Sequence, residues 1–222
     1  MGHVVAIVGL QREAAVLRGL DVVTIPGGGA PERLANELAE AVNGADGVIS
    51  FGMAGALDPG LRIGDWVIGE RVGGHACDPA RSAALAQRLP QARIGPVHAD
   101  GRLIADPAEK ARLNRASACL AADMESHVAA VAAARAGLPF AILRCISDEA
   151  AAALPPAIAV AMKPGGGLAL GAILGSILAH PGQVPHLLRT ATAFNRAYGE
   201  LRIGARQAGP RLAALPAKRD SA

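Results

Sequence analysis

A chain of 222 residues fits one ordinary domain, since domains cluster near roughly 100–200 residues and this length buries a sizeable core. Hydrophobic residues make up 51% and charged residues 18%, and Gly 27 with Pro 15 stays below the low-complexity range, which excludes a disordered chain. Aromatics at 2% exclude a stacking platform for single-stranded nucleic acid, and a net charge of +3 from scattered basic residues implies no polyanionic partner.

The chain opens on Met1-Gly2-His3 and runs straight into apolar Val4–Val8. With no basic leader and no small-residue cleavage site, this reads as a first strand and not as a signal peptide. Val22–Ile25, Gly47–Phe51, Trp66–Ile68 and Phe140–Ile146 follow as strands, mostly continuous apolar runs of the kind buried on both faces of a sheet. Between them a helix opens at Pro31, a favoured first-turn residue, with Leu34, Leu38, Ala41 and Val42 on one face. Another starts after Asp123, a suitable N-cap, turns Val128, Val131 and Ala132 inward, and stops at Gly137 with Pro139 just beyond. This alternation predicts a three-layer α/β domain, a central mixed sheet flanked by helices. It is expected to occupy residues 1–210, with a frayed tail over 211–222. Cys77, Cys119 and Cys145 are an odd number without CxxC spacing, which argues against a disulfide framework or a structural zinc site and for a reducing compartment. Pro164 to Leu188 carries no Lys, Arg, Asp or Glu, but Gly165-Gly166-Gly167, Pro181 and Pro185 interrupt it below the roughly 20 apolar residues of a membrane span. Leu187 to Arg206 reads as a final helix.

Three local signals could carry chemistry. Gly9-Leu10-Gln11-Arg12-Glu13 puts a carboxylate at a strand's C-terminal end, where α/β sheets present ligands; alone, it is more often a helix-start glutamate. Ser50-Phe51-Gly52-Met53-Ala54-Gly55-Ala56 places glycines after a buried strand, where backbone can approach a ligand closely or simply turn. The third is a pair, Asp123-Met124-Glu125-Ser126 at a helix start and Arg144-Cys145-Ile146-Ser147-Asp148-Glu149 leaving a buried strand. Alone, Asp148 is most often a cap.

In order and spacing these residues resemble the nucleoside phosphorylase superfamily, and within it the methylthioadenosine and adenosylhomocysteine nucleosidases. The resemblance runs over about residues 3 to 149: a glutamate after strand one, a strand ending in Gly-x-Ala-Gly, then Gly64-Asp65-Trp66-Val67, then Met124-Glu125, then Arg144-Cys145-Ile146-Ser147-Asp148. It implies the phosphorylase-like three-layer fold. Lys163-Pro164-Gly165-Gly166-Gly167, Leu170-Gly171-Ala172-Ile173-Leu174 and His180-Pro181-Gly182-Gln183 are similar to a narrower branch, the hopanoid-associated phosphorylases.

Breaking an N-glycosidic bond passes through an oxocarbenium-like state and asks for a proton toward the leaving base, a hold on the sugar and a nucleophile on the opposite face. The resemblance assigns these jobs to Asp148, with Ser147 orienting it, to Glu125, with Met124 packing on the sugar, and to Glu13, polarising water. Burial at the end of a strand is expected to raise the pKa of Asp148 and favour its acid form. Ala54 and Gly55 would line the site, and Leu103 and Ile104 would flank the base, Leu103 standing where relatives often carry phenylalanine. Hexameric-type phosphorylases have phosphate contacts where this chain reads Ser50 and Met53, so hydrolysis is favoured over phosphorolysis. Gly27, Gly28 and Gly29, before a helix N-terminus, offer an anion site with Arg12 assisting; a glycine turn is the plain alternative.

The expected substrate is a purine nucleoside, and the hopanoid resemblance implies that it is lipid-linked: adenosylhopane, cut to adenine and ribosylhopane. Part of Leu154 to Leu178 would then form an apolar wall or a membrane-docking face, with plain core or subunit interface as the alternative. No cofactor and no nucleic-acid partner are expected. A homo-oligomer is expected, placed in the cytoplasm and peripheral to the inner membrane. The runner-up readings are a soluble methylthioadenosine/adenosylhomocysteine nucleosidase, a purine nucleoside phosphorylase, and a nucleoside-binding module without turnover.

Overall fold

Every residue from Val4 to Val8 is apolar and fully buried, so strand β1 (His3–Val8) has no solvent face and lies inside the sheet. Its alternate side chains divide between two cores. Val5 and Ile7 join one cluster with Leu34 and Leu38 of α2 (Pro31–Ala41) and Val128, Ala129 and Ala133 of α5 (Ser126–Arg135). Val4, Ala6 and Val8 join another with Leu85 of α3 (Pro79–Arg88) and Ala197, Leu201 and Ala205 of α8 (Val184–Ala208). Helices therefore cover both faces of the sheet, the expected three layers. Each buried Leu or Ile in these cores contributes about 1.5–3 kcal/mol.

The remaining elements are α1 (Gln11–Val16), β2 (Val22–Pro26), β3 (Ala45–Ala56), β4 (Trp66–Val72), β5 (His75–Ala76), β6 (Arg93–Ala99), α4 (Pro107–Ser117), β7 (Ala121–Asp123), β8 (Phe140–Asp148), α6 (Pro156–Ala159) and α7 (Leu170–Ala179). The computed structural model describes residues 2–28, 30–159, 167 and 169–213, the side chains of Ala159, Leu170 and Ala172 excepted. The expectations at Gly29, at Lys163 to Gly166 and for the tail from residue 214 onward fall outside the described residues.

The sheet is mixed. β1 pairs in parallel with β2 and β3, β3 with β8, and β4 and β7 with β6, whereas β7 runs antiparallel to β3, and β4 antiparallel to β8 and β5. Because β8 pairs with both β3 and β4, the strands β3, β8, β4, β6 and β7 close a ring. Residues 211 to 213, expected to begin the frayed tail, pack on the domain: Leu212 is buried and belongs to the α8 core, and Ala213 N–H donates to Ala208 O at 2.8 Å. α8 can lie close on the sheet because Gly204 has no side chain; a Cβ there would stand 2.0 Å from the Trp66 ring. No helix among the described residues is long and apolar enough to cross a membrane.

Candidate active site

Four chain segments meet where the C-terminal ends of the parallel strands β1, β3 and β8 lie beside the end of the short antiparallel β7, and ligands commonly bind at the C-terminal ends of parallel strands. The turn after β1 carries Glu13 in the first turn of α1. Its side chain reaches back to the Leu10 N–H, 2.8 Å from Oε2, and across to the Met53 N–H, 2.7 Å from Oε1. The carboxyl is almost wholly buried. Burial pushes its pKa above the usual carboxylate value, against the opposing pull of the Met53 N–H, the Arg144 charge and the Leu10 N–H.

β3 is longer than the sequence suggests. It was expected to end at Phe51 and give way to a glycine loop, yet it continues to Ala56, with Gly52 opposite Arg144 and Gly55 opposite Asp148 of β8. The physical reason is room. A Cβ on Gly52 would stand 3.0 Å from both Arg144 Nη1 and the Glu13 carboxyl, and one on Gly55 would stand 3.0 Å from Asp148 Oδ2. Glycine lets the strand run on directly beneath these charged groups.

β8 likewise extends beyond its expected end to include Asp148. Its register against β3 passes from Ile146 opposite Ala54 to Asp148 opposite Gly55, so Ser147 bulges out, a device that re-aims neighbouring side chains. The Ser147 hydroxyl lies 2.9 Å from Asp148 Oδ1 and 3.3 Å from Ala54 O. Asp148 is buried, and it has a charged neighbour that the sequence reading did not include. Lys110 Nζ, fully buried on α4, sits 2.5 Å from Asp148 Oδ2, so the carboxyl is buried against an ammonium.

Glu125 follows β7 and is also buried. It packs beside Gly27, whose Cβ would stand 2.5 Å from Glu125 Cγ, and a Cβ on Gly9 would lie 3.2 Å from Glu13 Oε2 and 3.4 Å from Glu125 Oε2. The two glutamates thus share the space above the first turn. Met124, half-buried, precedes Glu125. Asp123 caps α5 from the end of β7: its Oδ1 accepts the N–H groups of Glu125 and Ser126 at 2.8 and 2.7 Å.

Beneath the carboxylates lies a charged network that the sequence reading did not single out. Arg144 is fully buried in β8. Its Nε lies 3.1 Å from Asp123 Oδ2, and its Nη2 donates to the Ser50 hydroxyl and, at 3.1 Å, to the Ser126 hydroxyl. The signal was present: an arginine inside an apolar strand needs buried partners.

Leu103 and Ile104, expected to flank the base, differ in burial. Ile104 is buried in a small core with Leu57, Leu113, Cys119 and Ala122, while Leu103 is half-buried. The anion site needs correcting. Gly27 and Gly28 were expected to offer free N–H groups, but these donate to Val8 O at 2.7 Å and Gly9 O at 2.9 Å. Arg12, its expected helper, is held on α8, with its guanidinium 4.3 Å from the Tyr198 ring centre and Nη2 3.2 Å from Asn195 Oδ1. Among the described residues, no group of three or more His, Cys, Asp or Glu side chains could hold a metal ion.

A family model described as Phosphorylase superfamily matches residues 73–163. No curated protein matches the chain. Similar solved structures include native futalosine hydrolase of Helicobacter pylori, at 13% identity over 96% of this chain and 98% of that one, with a TM-score of 0.67. They include the 5′-methylthioadenosine/S-adenosyl homocysteine nucleosidase of Helicobacter pylori, at 14% identity over 97% and 100%, with a TM-score of 0.67. S-adenosylhomocysteine nucleosidase from Streptococcus pyogenes, in complex with 5-methylthiotubericidin, is similar at 20% identity over 95% and 99%, with a TM-score of 0.63. The chain has the three-layer fold of these nucleosidases.

Proposed function

We propose that this chain is an enzyme of the phosphorylase superfamily that cleaves the N-glycosidic bond of a purine nucleoside with water. The observation that carries the reading is the gathering of three buried carboxylates, Glu13, Glu125 and Asp148, at the strand ends. A binding module has no need for an acid, a sugar clamp and a water base together. In the mechanism, Asp148 protonates the departing base, Glu125 holds the ribose hydroxyls and faces the developing positive charge, and Glu13 takes the proton of the attacking water. Burial above the ordinary carboxylate range makes Glu13 a stronger base than a solvated glutamate. Water is favoured over phosphate because Ser50 is buried against Arg144 and Ser126, Met53 carries no anion-binding side chain, and the N–H groups of Gly27 and Gly28 are already used.

For the substrate, the reading is a purine nucleoside with a lipid at the ribose 5′ carbon, adenosylhopane, giving adenine and ribosylhopane. Its support is the exposed apolar surface of the last third of the chain: Leu174, Leu178 and Leu188 are 58%, 75% and 65% exposed. On this reading residues 1–210 form one catalytic domain, and the enzyme works in the cytoplasm at the membrane surface. It also forms a homo-oligomer, for which the apolar groove between α2 and α5, lined by Ala35, Ala39, Val131 and Ala132, offers a surface. The second reading is a soluble methylthioadenosine/adenosylhomocysteine nucleosidase, favoured by what the similar solved proteins are named for.

One assay decides between them. Purified protein is incubated with adenosylhopane, methylthioadenosine, adenosylhomocysteine and inosine, each with and without phosphate, and free base is followed. Adenine release from adenosylhopane above all others supports the first reading. Release of no base from any of them overturns both.

A further inference from the structure

The surroundings of Lys110 are unusual for a lysine. Its side chain is fully buried, and its three ammonium protons have three acceptors: Asp148 Oδ2 at 2.5 Å, Glu149 O at 3.1 Å and Ala152 O at 3.0 Å. A neutral amine has two protons and would leave one acceptor facing its lone pair, so the geometry fits the ammonium. Burying that charge is expensive unless it is paired, and its one ionic partner in this set is the carboxyl that the proposed function makes the proton donor. The remaining Asp148 oxygen lies against the Ser147 hydroxyl. The carboxyl is therefore gripped from both sides over Gly55, with a proton source attached to one of its oxygens.

Resting on the nucleosidase reading, we propose that Lys110 is the positioning residue of the leaving-group acid: it fixes the Asp148 carboxyl and supplies the proton that Asp148 passes to the purine. As the bond between C1′ and the purine nitrogen breaks, its electron pair passes into the purine. Lys110 Nζ gives a proton to the Asp148 carboxylate, which passes it on to a base nitrogen. The pair starts as ammonium and carboxylate and ends as amine and carboxylate, so one proton has moved from Lys110 to the base. Water gives its oxygen to C1′ and its proton to Glu13. After the base leaves, solvent returns a proton to the amine through Asp148, and Glu13 releases its own.

The test compares Lys110→Met, Lys110→Gln, Asp148→Asn and the double variant Lys110→Met/Asp148→Asn with the wild-type chain, using a 5′-substituted adenosine that the wild type cleaves. kcat, KM and the melting temperature are measured for each. The Gln variant keeps an N–H donor for the two carbonyls and carries the test where the Met variant melts early. Both Lys110 variants are expected to lower kcat by on the order of 10²–10³ while KM stays within about threefold. The double variant should lose no more than Asp148→Asn alone, because the lysine acts through that carboxyl. Unchanged kcat in a folded Lys110 variant, or a double variant whose loss is the product of the two single losses, overturns the proposal. Failure of the wild type on every 5′-substituted adenosine overturns the nucleosidase reading, and this one with it.

Discussion

The Met53 N–H donates to Glu13 Oε1 across 2.7 Å, tying the first helix to the third strand. The bond fixes the carboxyl that is proposed to activate water, and it joins two segments that stand 40 residues apart in sequence. Burial nonetheless dominates, and the Glu13 pKa lies above the ordinary 4.5. Below its raised pKa Glu13 is protonated and cannot accept a proton, so kcat should fall on the acid side at a pH above the usual carboxylate range. Stability follows the same group. A raised pKa contributes stability that is fully present below the unfolded value of 4.5 and is lost as pH rises through the folded value. The melting temperature of wild type relative to Glu13→Gln should therefore decline over that window. A difference that stays flat with pH would remove Glu13 from the titration.

Gly52 supports the same group from below. It has φ +144°, which side chains rarely adopt, and its missing Cβ would meet both Arg144 and Glu13 at 3.0 Å. Gly52→Ala should destabilise the fold by about 1–3 kcal/mol and reduce base release by displacing Glu13. Gly74→Ala is the control, since nothing lies within 4 Å of its Cβ position. Equal melting temperatures for the two variants would mean that β3 yields freely at Gly52.

Asp148→Asn and Glu125→Gln are both nearly isosteric: Glu125→Gln should leave the melting temperature close to wild type, whereas Asp148→Asn leaves the buried Lys110 ammonium without its carboxylate and should lower it. Each should reduce adenine release by on the order of 10²–10⁴. A folded variant with near wild-type release shows that its carboxylate has another role.

Much of this was legible in the chain. The apolar runs gave β1 and the interior of β8, Pro31 marked the start of α2, and Gly137 and Pro139 bounded α5. Strands β6 and β7 were not read, because β6 begins on Arg93 and includes Gly95 and Pro96, and β7 has three residues. Glu13, Glu125 and Asp148 lie at or just beyond strand ends, but alone they read as helix-start or cap residues, and it was the resemblance that singled them out. Lys110 could not be found, because a lysine on a polar helix ordinarily faces water, and only the fold brings it to Asp148. Its one hint is that it shares a helix face with buried Leu113, three residues on.

With Ser50 used inside the arginine network and Gly27 and Gly28 hydrogen-bonded to β1 and its turn, base release should proceed in phosphate-free buffer. The product should be free sugar, detectable by its reducing end. Strict dependence on phosphate, with a sugar 1-phosphate as sole product, would reverse the assignment of nucleophile and require an anion site elsewhere.

Leu174 and Leu178 stand one helical turn apart on α7, 58% and 75% exposed, and Leu188 on α8 is 65% exposed. Leaving such side chains in water forgoes about 1.5–3 kcal/mol each, so something apolar is expected to cover them. A subunit interface and a lipid both answer that description, and charge separates them. Leu174→Glu with Leu178→Glu puts two carboxylates on the face while leaving Glu13, Glu125, Lys110 and Asp148 untouched. If the face meets a lipid-linked substrate at a bilayer, the double variant should stop sedimenting with liposomes. Its kcat/KM for adenosylhopane should fall by about tenfold or more, roughly the loss of 1.4 kcal/mol, with methylthioadenosine turnover unchanged. If the face is a subunit interface, the variant should instead dissociate in light scattering, and both substrates should suffer alike. Wild-type kcat/KM for methylthioadenosine equal to or above that for adenosylhopane would sink the lipid reading and leave the soluble nucleosidase standing.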